Sequence, residues 1–163
     1  MSIFKTPMVR LFLSSCVLLL ASCAYVYGDT NIVKFSGQLS GMNEIPSTPS
    51  MGNGTVEAMF NKETNELTWT VTYSGLTGPA MSAHFHGPAS AEANAGVVVG
   101  LKGPLDSPIK GSAMLTAEQS KDLLAGKWYV NIHTKAHPGG EVRAQVMPKP
   151  QQQAPQQPMR SYY

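Results

Sequence analysis

Cysteine is almost missing from this chain. Its 163 residues hold only Cys16 and Cys23, both near the N-terminus. Whatever folds beyond residue 23 has no disulfide and no thiolate ligand, so it must rest on a hydrophobic core. Charge is sparse as well: Asp, Glu, Lys and Arg make up 13% of the residues, and the basic ones are scattered. That excludes the clustered positive surface by which proteins bind nucleic acid. No apolar run reaches the roughly 20 residues that a bilayer-spanning helix requires. A phosphate-binding P-loop, a G-x-S-x-G elbow and a dinucleotide glycine fingerprint are all missing, and no Ser-His-Asp order stands out. Histidine is scarce too: His84, His86, His133 and His137 are the full set.

What is present begins with an export signal over residues 1–22. Lys5 and Arg10 supply its positive start, and Leu11-Phe12-Leu13, Cys16 and Val17-Leu18-Leu19-Leu20 its apolar core. Leu20-Ala21-Ser22-Cys23 resembles the bacterial lipobox, a Leu-small-small-Cys pattern cut before the cysteine. The resemblance implies that Cys23 becomes a lipidated N-terminus; the bland alternative is an ordinary cleavage site with an incidental Cys. Ala24 follows, where an inner-membrane retention signal has Asp. The expected location is therefore extracytoplasmic and lipid-anchored, in the outer membrane, with residues 23–31 as a tether. Without Lys5 and Arg10, the remaining ten Lys and Arg balance ten Asp and Glu.

Residues 32–147 read as one β-rich domain. Glu66 to Tyr73 alternates cleanly, with Leu67, Trp69, Val71 and Tyr73 on one face and Glu66, Thr68, Thr70 and Thr72 on the other. That is the period-2 signature of a half-buried antiparallel strand. Ile32 to Leu39, Thr55 to Phe60, Met81 to His86 and Ile109 to Leu115 read as further strands. Met81, Ala83 and Phe85 are expected in the core. Ala95 to Leu101 is nearly continuous in apolar residues and reads as an interior strand. One helix is expected after Thr116, an N-cap with Gln119 at capping-box spacing. Leu123 and Leu124 should face the core, and Gly126 should end the helix. Trp128 to Thr134 and Glu141 to Met147 form a final hairpin. Its core faces carry Val130, Ile132, Val142, Ala144 and Val146; its outer faces carry Tyr129, Asn131, His133, Glu141, Arg143 and Gln145. Trp69 and Trp128 read as core. The fold class is all-β: an antiparallel β-sandwich or Greek-key barrel of about eight strands with one short helix. Residues 148–163, rich in Pro and Gln, read as a disordered tail.

Three segments resemble the CHRD domain, first described in chordin and common in bacterial exported proteins. Phe35-Ser36-Gly37-Gln38-Leu39-Ser40-Gly41-Met42-Asn43-Glu44-Ile45-Pro46 is similar to its L-x-G-x-N-E-x-P opening segment. Ala83-His84-Phe85-His86-Gly87-Pro88-Ala89 is similar to its A-H-x-H-G-P-A centre. Tyr129 to Thr134 with Pro138 to Gln145 is similar to its Y-V-N-I-H-T…P-G-G-E-I-R-G-Q ending, with Ala144 where the family often has Gly. The resemblance implies an all-β domain over residues 32–147. It implies no particular activity, because bacterial members mostly lack one.

The chemistry to weigh is a metal site. On a strand, His84 and His86 share one face. His133 points outward from its own strand, so the three imidazoles converge if the two strands are neighbours. Imidazole suits copper and zinc. His137, in the loop before Pro138-Gly139-Gly140, is a weaker fourth candidate. Met42, Met51 and Met81 could add thioethers for Cu(I). Asn131, Glu141 and Arg143 are candidates to orient the imidazoles, although Glu141 and Arg143 read more simply as an ion pair fixing the hairpin. Glu44 could serve as a catalytic carboxylate or merely close one end of the barrel. Three functions remain open. The first is a lipid-anchored binding module for copper or zinc, and this is the reading preferred over an enzyme. The second is a cell-surface interaction or adhesion domain with structural histidines. The third is a one-copper enzyme of superoxide-dismutase type, for which the chain is short of ligands.

Overall fold

A computed structural model describes residues 31–150. The expected export signal, the lipidated Cys23 and nearly all of the Pro/Gln tail lie outside that range. Eight strands and one α-helix follow in order: β1 (Ile32–Ser40), β2 (Asn53–Asn61), β3 (Glu66–Ser74), β4 (Ser82–His86), β5 (Val97–Gly100), β6 (Ile109–Met114), α1 (Ala117–Leu124), β7 (Trp128–His133) and β8 (Val142–Pro148). They form one antiparallel sheet in the order β5-β4-β7-β8-β1-β2-β3-β6. The sheet curls into a nearly closed barrel, as the all-β reading expects. Its two edge strands, β5 and β6, line opposite sides of a cleft of about 360 Å³ together with Trp69 and Gln119.

The strands form where alternation provides an apolar face. Val56, Ala58 and Phe60 of β2, Leu67, Trp69 and Val71 of β3, and Val130 and Ile132 of β7 all enter one core. Trp69 meets Phe85 edge-on, with centroids 5.3 Å apart, a favoured aromatic geometry. Gly111 lies opposite Trp69 in the β3–β6 ladder. A Cβ there would stand 2.6 Å from the indole ring, so the glycine makes the room the ring occupies. Thr116 caps α1 with the full capping box to Gln119, and Gly126 follows with φ +69°.

Three local expectations are corrected. β5 is an edge strand with Val97 exposed, not an interior one; its apolar run packs its inner side only, because no strand lies beyond it. Met81 precedes β4 and is exposed. Leu124 is partly exposed, at 38%, and Leu123 alone of the pair is buried, since one short helix can turn only a narrow stripe inward.

β1 lies in the middle of the sheet, between β2 and the C-terminal β8. At Gly37, β1 and β8 lie close together: a Cβ there would stand 2.3 Å from the Gln145 carbonyl oxygen. The Asn43 side-chain amide then bridges the pair, donating to the Gln38 carbonyl at 3.0 Å and the Arg143 carbonyl at 3.1 Å. β8 continues to Pro148, and the Lys149 N–H donates to the Lys34 carbonyl.

Gly37→Ala should therefore push β1 off β8 and destabilise the domain by about 1–3 kcal/mol, the range for overpacking. Gly78→Ala, at a position with nothing within 4 Å, should change little. Urea midpoints of the two variants check this, and equal midpoints would contradict the packing argument.

Candidate metal centre

β4 and β7 are hydrogen-bonded neighbours, and their register decides the site. His84 lies opposite Asn131, His86 opposite Tyr129, and Ser82 opposite His133. His133 is thus one diagonal step from His84 on the same face, within reach of long side chains. His84, His86 and His133 each place one ring nitrogen in a cluster whose atoms lie within 4.8 Å of one another. Nδ1 of His84 is 3.2 Å from Nε2 of His133. The rings of His84 stand edge-on to those of His86 and His133, at centroid distances of 5.6 and 5.0 Å. His137 is not in the cluster; it serves the β7–β8 turn through its backbone, bonding Thr134 and Gly140. Met42, Met51 and Met81 are exposed side chains.

Two of the imidazoles have their tautomers set by carbonyls. Nδ1 of His86 is 3.0 Å from the Ala95 carbonyl oxygen, and Nδ1 of His133 is 2.9 Å from that of Pro138. A carbonyl only accepts, so each Nδ1 carries the hydrogen. In the neutral rings, both Nε2 atoms are then lone pairs directed inward. Burial pushes the pKa of His84 below the ordinary histidine value, and the nearby His133 and His86 push it further. Burial also lowers His133, with the Pro138 carbonyl partly opposing. His84 and His133 are thus biased towards neutral imidazole, the form that binds metal.

The outer face of β7 and β8 is covered. Tyr129, Asn131, Glu141 and Arg143 are all buried. The loops after β1 and β4 lie over them. Arg143 donates to Asn94 Oδ1 and to the Ser90 and Ala93 carbonyls. Its guanidinium also sits 3.5 Å from the Tyr129 ring centroid. Tyr129 in turn stacks on His86, with rings 2° from parallel and centroids 4.8 Å apart. Glu141 is no partner of Arg143. Its carboxylate accepts from Ser50 Oγ at 2.6 Å, from the Thr77 N–H at 2.8 Å and hydroxyl at 2.7 Å, and from Thr134 Oγ1 at 2.5 Å. The expected Glu141–Arg143 ion pair is replaced by two separate nets, because each group finds nearer partners in the loop that covers it. Of Asn131, Glu141 and Arg143, only Asn131 touches the imidazoles directly; its Oδ1 is 3.0 Å from Nε2 of both His86 and His133.

A model of the CHRD domain matches residues 35–146. The chain belongs to the CHRD domain family. No curated protein and no solved structure matches it. CHRD membership implies an extracellular, binding-type module. The three marker segments of the CHRD domain meet at this site. The first supplies Asn43, which ties β1 to β8, and Glu44, which is buried beside the cluster. The second supplies the histidine pair, and the third Asn131, His133, Glu141 and Arg143. Tyr129 and Glu44 are the contributors the alternation pattern alone does not single out. Burial raises the Glu44 pKa, while the Arg143 charge, the Ile45 N–H and the Asn131 side chain oppose that rise.

Glu141 should dominate the acid response of this CHRD domain. Burial alone would raise its pKa, but four hydrogen bonds hold it at about 2, below the ordinary 4.5. Its contribution, on the order of 3 kcal/mol, is complete above pH 4.5 and is lost as the pH falls towards 2. The lowered histidines act with the same sign higher up the scale. The unfolded chain takes their protons first, so stability begins to fall as the pH drops below about 6.5. Denaturation curves between pH 8 and pH 2 should show both steps, and Glu141→Gln should remove the lower one while leaving the upper. A lower step that persists in the variant would refute the assignment.

Proposed function

We propose that this CHRD domain is a metal-binding module of the cell envelope. It is carried on a lipid at Cys23 in the outer membrane, and it holds one copper or zinc ion on His84, His86 and His133. The observation that supports the reading is the convergence of three imidazoles from two adjacent strands, two of them held by Nδ1–H bonds to backbone carbonyls. Such carbonyl-held histidines are the usual arrangement in metal sites, where the second bond fixes the ring and raises its basicity. Three nitrogens around an ion at ~2.0–2.1 Å stand about 3.4 Å apart in a tetrahedron. The 3.2 Å between His84 and His133 already fits, and the widest separation, within 4.8 Å, needs a small inward rotation of the rings. The ion would displace the proton that His84 Nδ1 now donates to His133 Nε2, moving it to the far nitrogen. Three imidazoles favour copper over zinc when both compete for one site.

Copper or zinc titrated into soluble protein starting at Ala24 should bind one ion per chain, tighter than micromolar. His84 is only half-buried, so His84→Ala should keep the fold and weaken binding about 100-fold. Equal affinity in both proteins, or no binding by either, would return the histidines to the scaffold and favour a surface interaction domain. The anchor is tested separately. Cys23→Ser should shift the full-length protein from the membrane fraction to the soluble one; an unchanged distribution would show that Cys23 carries no lipid.

A further inference from the structure

Asn131 is surrounded in a way that ordinary hydrogen bonding does not satisfy. Its Oδ1 is 3.0 Å from Nε2 of His86 and 3.0 Å from Nε2 of His133. The hydrogens of both rings are already committed, on Nδ1, to the Ala95 and Pro138 carbonyls. Oδ1 therefore faces two ring nitrogens with no hydrogen on either contact, and the one hydrogen near them runs from His84 Nδ1 to His133 Nε2. A half-turn of the amide would put Nδ2 there and make two good bonds. Glu44 opposes that turn. Its carboxylate oxygen Oε1 and Asn131 Nδ2 lie on the same side of Gly140: a Cβ at Gly140 would stand 2.3 Å from the first and 2.8 Å from the second. Oε1 is buried, and Asn131 Nδ2 is the side-chain donor beside it. Turning the amide would bring Oδ1 towards that carboxylate, oxygen against oxygen. Gly140, at φ +128°, is free of the side chain that would fill this space.

We infer that Asn131 supplies a fourth ligand, through Oδ1, to the ion held by the three histidines, and that the Glu44 carboxylate positions the amide with that oxygen inward. The inference rests on the metal-binding reading above. A cation at the convergence point relieves that repulsion. Donor separations of 3.0 Å fit adjacent ligands at ~2.1 Å around one ion. The site would then be a three-nitrogen, one-oxygen set, and Glu44 a positioning residue that never touches the metal.

The test uses Cu(II) and its electron paramagnetic resonance spectrum in the protein starting at Ala24. Asn131→Leu keeps the volume and removes the oxygen; it should weaken copper about 10- to 100-fold and change the parallel hyperfine splitting. Asn131→Asp keeps an oxygen but makes it anionic; it should hold copper at least as tightly as the parent, with a shifted spectrum. Glu44→Leu should reproduce the Asn131→Leu spectrum in part, and Glu44→Gln, which retains an acceptor, should restore the parent one. An unchanged spectrum in Asn131→Asp overturns the inference, even if Asn131→Leu does not fold. Copper bound with dependence on His84 but not on Asn131 leaves the metal module standing and removes Asn131 from it. No copper bound by the parent protein removes both.

Discussion

A guanidinium taken out of water destabilises the fold by several kcal/mol unless it is partnered. Arg143 is buried on the outside of the sheet, where a β-barrel ordinarily meets solvent. Its donors pull the loop after β4 across β7 and β8 through Asn94 and two backbone carbonyls. That loop brings the Ala95 carbonyl to His86 and to the Tyr129 hydroxyl. The Tyr129 ring, pressed between Arg143 and His86, sets the plane of the imidazole. The histidine cluster is therefore the end of a chain of contacts that starts at one charged side chain. Planarity is essential to it, since only Arg offers a flat face to the ring and a fork to the loop together.

Glu141 performs the matching task at the other end of the site without any opposite charge. Three hydroxyls and one backbone N–H neutralise it by hydrogen bonding alone. The loop after β1, the approach to β4 and the end of β7 are joined at this one carboxylate. Two buried charges two residues apart, each with its own net, thus hold down the two loops that turn an outer sheet face into an interior.

Much of this was legible in the sequence and some was not, for definite reasons. Alternation in Glu66 to Tyr73 and in Trp128 to Met147 reports which residues share a face, so strand positions and the barrel core followed directly. The capping box at Thr116 located the helix. Alternation does not report what lies over the second face. Tyr129, Asn131, Glu141 and Arg143 read only as outer-face residues, because the covering loops, Met42 to Gly52 and Gly87 to Gly96, cover them by hydrogen bonds that carry no periodic signal. Sheet order is equally silent in a single strand, which is why the apolar run at Val97–Gly100 passed for an interior one. The histidine cluster was readable only as a condition on strand pairing. The β4–β7 ladder meets that condition, whereas Glu44, four residues into a loop, carries no periodic signal of its burial.

The central position of β1 also bears on how the domain is made. Its inner neighbour β2 follows at once in the chain, but its other partner is β8, and the Asn43–Arg143 bridge joins residues a hundred positions apart. Contacts of such separation belong to slow-folding topologies, because the loop must close before the pairing rewards it. Until the last strand is delivered, the first has an open edge and the outer net around Arg143 does not exist. A chain threaded across a membrane from its N-terminus would thus emerge without a finished barrel. It could acquire its histidine site only after the C-terminal residues had followed.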